Sequence, residues 1–353
     1  MAVYEFPTSF GQRRMWLLAE MDPGEPTYNI TWALWLEGEL NVTALQQAWD
    51  SALARHEALR TTFRNESGVP VQVIEDESAN VPLAVTSVEQ LSEGEREEAC
   101  ASQIRRLARI PFDLATGPLA RAALVRLSSQ SHVFVVVMHH IVADGWSFRI
   151  LFDELAADYE ALRGGGDPVA EEPPIQYADF AIWQIEHSED GGYTPAARFW
   201  RAELADVPSA LPLPTDEPYR TRQTFRAGSI DGALDGGLAD SLREVAAQHQ
   251  TTLFAVLLAA YAVVLARLTG SDDLLIAVPM AARTRPETEA VVGLFMNTVP
   301  IRIRVDKNGT LSDLVRVVHA ATTRALEHHD LQFASVVELV KPDRDPARLR
   351  WFR

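Results

Sequence analysis

The sequence predicts an α/β or α+β protein built from two lobes, on three observations. The chain has 353 residues, more than one small core usually organises. Strand-like and helix-like patterns interleave along both halves. A breaker-rich stretch, "GGGDPVAEEPP" at 164–174, separates those halves. An N-terminal lobe over 1–174 and a C-terminal lobe over 175–353 are therefore expected.

In the first half, "TYNITWALWLEG" (27–38) alternates and reads as a strand. Asn41 is placed to cap a helix running to about Glu57. "VPVQVIE" (69–75) reads as a short strand, and 92–109 as a charged helix. "LARAALVRL" (119–127) and "HVFVVVM" (132–138) read as strands. The second is apolar throughout, which places it centrally in its sheet. A helix follows from about Trp146 to Arg163, and the glycines at 164–166 stop it.

In the second half, helices are expected at 176–187 and 195–204, with Thr194 and Pro195 opening the second. "LPLPTDEP" (211–218) is a Pro-rich loop. Helices near 238–248 and 252–268, strands at 273–279 and 298–305, and a helix at 311–328 complete the pattern.

Charge and cysteine content exclude several classes. Forty-nine acidic against 32 basic residues give a net charge of −17. That balance, with no basic stripe, argues against nucleic acid as a partner. A single cysteine, Cys100, permits neither an internal disulfide nor a Cys-based zinc cluster. The first residues lack a signal-peptide core. The most apolar run, "LFAVLLAAYAVVLARL" (253–268), is short of the ~20 residues of a membrane span. It reads as a core helix, opened by Thr251 or Thr252 and ended by Gly270. A cytoplasmic protein with no membrane partner is expected.

The stretch "SHVFVVVMHHIVADGWSFRILFDEL" (131–155) carries the chemistry. An apolar strand ends in His139 and His140, and Asp144 and Gly145 lie just before an amphipathic helix. Neighbours on a strand point to opposite faces, so one histidine faces a reaction centre and the other is structural. Three readings compete: a His-His-Asp metal site, a neutral histidine acting as base beside a structurally paired Asp144, and satisfied core histidines at a turn. No HExxH-type spacing or further ligand cluster supports the metal. The base is preferred over the metal.

"HHIVADG" has the HHxxxDG pattern of acyltransferases related to chloramphenicol acetyltransferase. Further motifs follow in one order. "SFGQRRMWLL" (9–18), "RHEALRTTF" (55–63), "HHIVADGWS" (139–147), "YADFAIW" (177–183), "GLFMNTVPIR" (293–302), "HHDLQFASVVE" (328–338) and "RDPAR" (344–348) resemble the seven motifs of nonribosomal peptide synthetase condensation domains. They span nearly the whole chain. Epimerization domains share HHxxxDG but generally lack the second motif. The likeness breaks after Arg348, where the family continues with closing strands and a crossing segment, so an incomplete C-terminal lobe is expected. The first motif begins by Ser9, which implies a donor from another polypeptide or a free acyl thioester, in a starter-type or intersubunit role.

The resemblance implies two chloramphenicol acetyltransferase-like lobes forming a V, with the active site in a tunnel between them. It implies amide formation between a donor acyl or peptidyl thioester and an acceptor aminoacyl thioester. Both would ride on phosphopantetheine arms of carrier protein domains, with adenylation domains adjoining. No metal and no bound cofactor is implied. A non-catalytic platform domain and a CoA-dependent acyltransferase remain as alternatives.

By the same resemblance, His140 is base or hydrogen-bond acceptor for the amine. Gly145 offers a backbone N–H to the oxyanion. His139 is structural, and Asp144 organises the loop through an arginine, because a lone buried carboxylate is costly. Arg283, in "AARTRPETE", and Arg60 are the candidate partners. Arg283 is preferred, and the pair would tie the lobes together. Arg60 and His56 read as structural residues at a helix end. Trp146, Ser147, Asn297 and Thr298 are assigned to the substrate tunnel, with Ser147 also read as a helix cap. Tyr177, Asp179 and Trp183 are read as packing at the lobe junction.

Overall fold

A computed structural model of the chain describes residues 3–76, 81–207, 211–216 and 228–340. The seventh motif and the residues after it, and the end of the Pro-rich loop, lie outside the described residues. The chain divides into two compact units. One comprises Met1–Asp190 and Arg283–Met296, the other Gly191–Ala282 and the chain from Asn297.

The first unit holds β1 (Val3–Pro7), α1 (Phe10–Met21), β2 (Asn29–Glu37), α2 (Val42–Arg55), β3 (Thr61–Glu66) and β4 (Val69–Glu75). It continues with β5 (Ala84–Ser87), α3 (Glu93–Arg109), β6 (Ala120–Arg126), β7 (Ser131–His139), α4 (Gly145–Arg163) and α5 (Tyr177–Glu189). The main sheet has the order β2-β7-β6-β5, so the wholly apolar β7 is central as expected. It pairs antiparallel with β2 and β6, while β5 joins β6 in parallel. A smaller antiparallel sheet, β1-β4-β3, stands beside it.

Alternation along β7 sorts its side chains between two cores. Phe134, Val136 and Met138 pack with Trp49, Leu53 and Phe148 of α2 and α4. Val133, Val135 and Val137 pack with Cys100 and Leu107 of α3. A third core joins Met15, Trp16, Phe63, Tyr177, Phe180 and Phe295. It explains why the units part at Asp190 and not at residue 174. Helix α5 buries Tyr177 and Phe180 within the first unit, and so do residues 283–296. The junction reading of Tyr177 is corrected accordingly. Asp179 closes a capping box with Gln176 at the start of α5.

Arg55 and His56 of the second motif bind α2 to α4. Arg55 pairs with Glu154 and Asp158 at 2.7 Å each, and His56 Nε2 lies 2.8 Å from Glu154. Asp158 also accepts from the N–H groups of Val169 and Ala170, which pins the 164–174 stretch to the first unit.

The second unit holds α6 (Thr194–Glu203), α7 (Gly236–Gln248), α8 (Leu253–Thr269), β8 (Asp273–Ala281), β9 (Met296–Arg304), α9 (Leu311–Leu326) and α10 (Phe333–Val340). β8 and β9 form a two-stranded sheet, joined also by Arg302, which grips Asp273 at 2.6 and 2.9 Å. Thr252 caps α8, and Gly270 ends it at φ 71°, where a glycine is favoured. Only one side of α8 is core. Ala255, Leu258, Ala259 and Ala262 are buried, whereas Phe254, Leu257, Tyr261, Val264 and Leu268 are exposed. The expected core helix is thus core on one face only. Among the described residues no single helix is long and apolar enough to cross a membrane.

Candidate active site

Strand β7 is held on both sides, so its end is a fixed platform. There the chain leaves the sheet. His140 N–H donates to Tyr28 O at 2.8 Å, and Val142 N–H donates to His139 O at 3.1 Å. His139 continues the α3 side of β7. It is buried, edge-on to Tyr28 and Phe112, and its Nδ1 accepts from Ile141 N–H at 3.2 Å. Burial, and secondarily the neighbouring His140, pushes its pKa down to about 4. The ring is therefore neutral near pH 7 and held by its packing.

His140 is half-buried and differently placed. Its Nδ1 lies 2.8 Å from Ala143 O. A carbonyl can only accept, so Nδ1 carries a hydrogen, and in the neutral ring Nε2 presents the lone pair. That nitrogen makes no hydrogen bond among the described residues. The backbone of the turn thereby selects the tautomer that a base requires.

Asp144, buried, is the N-cap of α4. Its Oδ1 accepts from Ser147 N–H at 2.9 Å and from the Ser147 hydroxyl at 2.8 Å. The cap is therefore Asp144, and Ser147 is its third-position partner in a capping box, which corrects the reading of Ser147 as cap. The pattern Asp-x-x-Ser before an apolar helix could have indicated this. Gly145 is the first helical residue, so its N–H has no intrahelical acceptor. Its φ is not in the left-handed region, so no backbone angle reserves the position for glycine. A Cβ at Gly145 would meet nothing within 4 Å. Glycine here leaves open space beside the N-terminus of α4.

Residues 283–296 run beneath this turn as part of the same unit. Phe295 N–H donates to Asp144 Oδ2 at 3.0 Å. Gly293 N–H donates to Ser147 Oγ at 3.1 Å, and Gly293 O, 3.0 Å from Ser147 Oγ, is the alternative acceptor for the one hydroxyl hydrogen that Asp144 takes at 2.8 Å. Trp146, partly exposed, donates its indole N–H to Glu289 O at 3.0 Å. Arg283 reaches Asp144 Oδ1 at 3.3 Å, with both side chains almost fully buried. Its other end donates to Val291 O at 2.7 Å and to Thr288 O, and its guanidinium lies 4.1 Å from the Phe295 ring centre. Burial lowers the Arg283 pKa, and the charge of Asp144 opposes that shift. The pair is internal to the first unit, so the expected tie between lobes is not what it forms.

Two other assigned residues are elsewhere. Arg60 lies 3.6 Å from Glu57 and donates to Glu75 O, with no contact to Asp144. Asn297, in the second unit, spends its amide on backbone. It donates to His329 O and Leu331 O and accepts from Thr298 and Phe333 N–H groups. It organises the sixth motif and has no donor left for a substrate channel. Thr298 is half-buried beside it. Among the described residues, no group of three His, Cys, Asp or Glu side chains could hold a metal ion.

The sequence reading passed over Ser9 and the Tyr177 hydroxyl, which join this network from below. Ser9 Oγ lies 2.8 Å from Tyr177 Oη, which donates to Leu294 O at 2.7 Å. A glycine inside the apolar run "VVGLFM" was the available signal, since such a glycine often marks a close approach.

The Condensation domain family profile matches residues 4–352. The chain belongs to the condensation domain family. Chondramide synthase of Chondromyces crocatus is 41% identical over 338 residues, 96% of this chain and 9% of that protein. Cyclosporin synthetase of Tolypocladium inflatum is 40% identical over 345 residues, again 96% of this chain but 2% of that protein. The condensation domain therefore spans a small part of these curated relatives. Among solved structures, the X-domain from teicoplanin biosynthesis is 28% identical with a TM-score of 0.84, covering 98% of this chain and 76% of that one. The first condensation domain of the calcium-dependent antibiotic synthetase has the same fold, at 22% identity and a TM-score of 0.81, covering 95% of this chain and 78% of that one.

Proposed function

We propose that this condensation domain catalyses amide formation between a donor acyl or peptidyl thioester and the amine of an acceptor aminoacyl thioester. Both substrates are carried on phosphopantetheine arms of carrier proteins, within a synthetase that also supplies adenylation domains. The observation that carries the reading is the His140 ring. Its Nδ1–H is held by Ala143 O, and its Nε2 is free.

The amine attacks the donor carbonyl, forming the C–N bond. The proton lost from nitrogen passes to His140 Nε2, or is held there by a hydrogen bond as the amine is positioned. Negative charge gathers on the former carbonyl oxygen. The Gly145 N–H, at the positive end of α4, is suited to it. Collapse expels the donor thiolate, which takes up the proton. Asp144 and Arg283 hold the turn and stay outside the chemistry. Trp146 and Ser147 belong to this network, and of the two only Trp146 leaves surface for substrate; Thr298, in the second unit, is half-buried.

The test supplies separately loaded donor and acceptor carriers and follows transfer of mass from one to the other. The reading expects the extended product on the acceptor carrier. Equal or faster transfer from an acyl-CoA donor would instead identify a CoA-dependent acyltransferase.

A further inference from the structure

We propose that Tyr177 is a positioning residue for His140, acting through two peptide groups. The proposal rests on the reading of His140 as the acceptor of the amine proton.

Tyr177 opens α5 and is fully enclosed. Its hydroxyl donates to Leu294 O at 2.7 Å. The N–H of that same peptide group is Phe295 N–H, which donates to Asp144 Oδ2 at 3.0 Å. The peptide group on the other side of Asp144 joins Ala143 to it. Its carbonyl holds His140 Nδ1 at 2.8 Å, and its N–H donates to Ser147 Oγ at 3.2 Å. Two donor series thus converge on the Asp144 carboxylate, one from Tyr177 through the Leu294–Phe295 peptide group and one from His140 through the Ala143–Asp144 peptide group and Ser147, so the seat of that anion in a dry interior couples them.

The near end is also defined. Tyr177 gives its hydrogen to Leu294, so Ser9 must donate to Tyr177, and Gln12 N–H donates to Ser9 Oγ at 3.1 Å. The ring is fixed as firmly as the hydroxyl. It stands edge-on to Phe295, centres 5.1 Å apart. It also fills the space where a Cβ at Gly293 would come within 1.9 Å. Packing alone would be served by phenylalanine. The hydroxyl adds a directed bond to a peptide group that also holds Asp144. Burial raises the Tyr177 pKa, so the hydroxyl stays a donor across the working range.

The test is Tyr177→Phe in the whole chain, read by proton–nitrogen correlation NMR on isotope-labelled histidine. The His140 signal is assigned by its loss in His140→Gln. In the wild type, neutral His140 shows the Nδ1–H tautomer. The substitution is expected to introduce the Nε2–H tautomer and shift the titration of that ring. The rate at saturating carriers should fall roughly ten- to hundredfold with KM unchanged. Ser9→Ala should produce the same tautomer change at smaller amplitude, and serves if Tyr177→Phe does not fold. Folded variants with an unchanged His140 tautomer and titration overturn the proposal, while leaving the function intact if the wild type makes amide. A tautomer change in a protein that makes no amide supports the positioning and overturns the function.

Discussion

Asp144→Asn removes one charge from a carboxylate that accepts four hydrogen bonds. Ser147 N–H, the Ser147 hydroxyl, Phe295 N–H and Arg283 all point at it. The amide must turn its NH2 toward one of these donors, so at least one contact becomes donor against donor. Arg283 then keeps its charge in the interior without an anion. Breaking such a buried pair costs ~3–5 kcal/mol. Arg283 retains Val291 O, Thr288 O and the Phe295 face, which favours the low end, about 3 kcal/mol. Urea unfolding followed by tryptophan fluorescence measures it, since Trp146 lies over this region. Arg283→Met and the double variant complete a cycle, with an expected coupling of ~2 kcal/mol. A loss below ~1 kcal/mol, or strict additivity of the two substitutions, would refute the reasoning.

His139 makes stability depend on pH. Its folded pKa is about 4 against the 6.5 of an ordinary histidine, so between these values the unfolded chain binds more protons and stability falls as pH falls. At ~1.4 kcal/mol per unit the loss approaches ~3 kcal/mol by pH 4. In His139→Phe the slope over that window should shrink measurably in denaturant titrations at successive pH values. Gly293→Ala forces a Cβ into the Tyr177 ring. It should cost at least ~1–3 kcal/mol and lower the melting temperature, whereas Gly145→Ala, facing open space, should melt normally. Arg55→Ala strands Glu154 and Asp158 and should cost ~3–5 kcal/mol in the same unfolding assay.

How much of this was legible varied with the kind of signal. Central strand β7 was plain from its unbroken apolar run, and α2 and α8 from Asn41, Thr252 and Gly270. Strands β1, β3 and β5 were not read as strands. β3 ends in exposed Arg64, Asn65 and Glu66, and β1 is mostly exposed, so neither shows a clean alternation. Helix α1 went unread because it buries only Gln12, Met15 and Trp16, and α10 because it is short. The outward face of α8 was invisible because composition cannot say which apolar side is covered. Within the site, the opposed placement of the two histidines follows from strand alternation, and Arg283 from the cost of a lone carboxylate. The family resemblance, through its seven motifs, supplied the reaction. No periodicity reports that residues 283–296 fold back into the first unit, or that the Tyr177 hydroxyl reaches Leu294. Those depend on contacts between residues more than a hundred positions apart.

The central claim is that His140 Nε2 serves the amine in amide formation. Single-turnover transfer between loaded carriers, wild type against His140→Ala, tests it most directly. The account predicts a ~10²–10⁴-fold slower step with only a small fall in the unfolding midpoint, from the lost Nδ1–H bond to Ala143 O, because no structural bond depends on Nε2. A folded His140→Ala protein that transfers at a near-wild-type rate would contradict it.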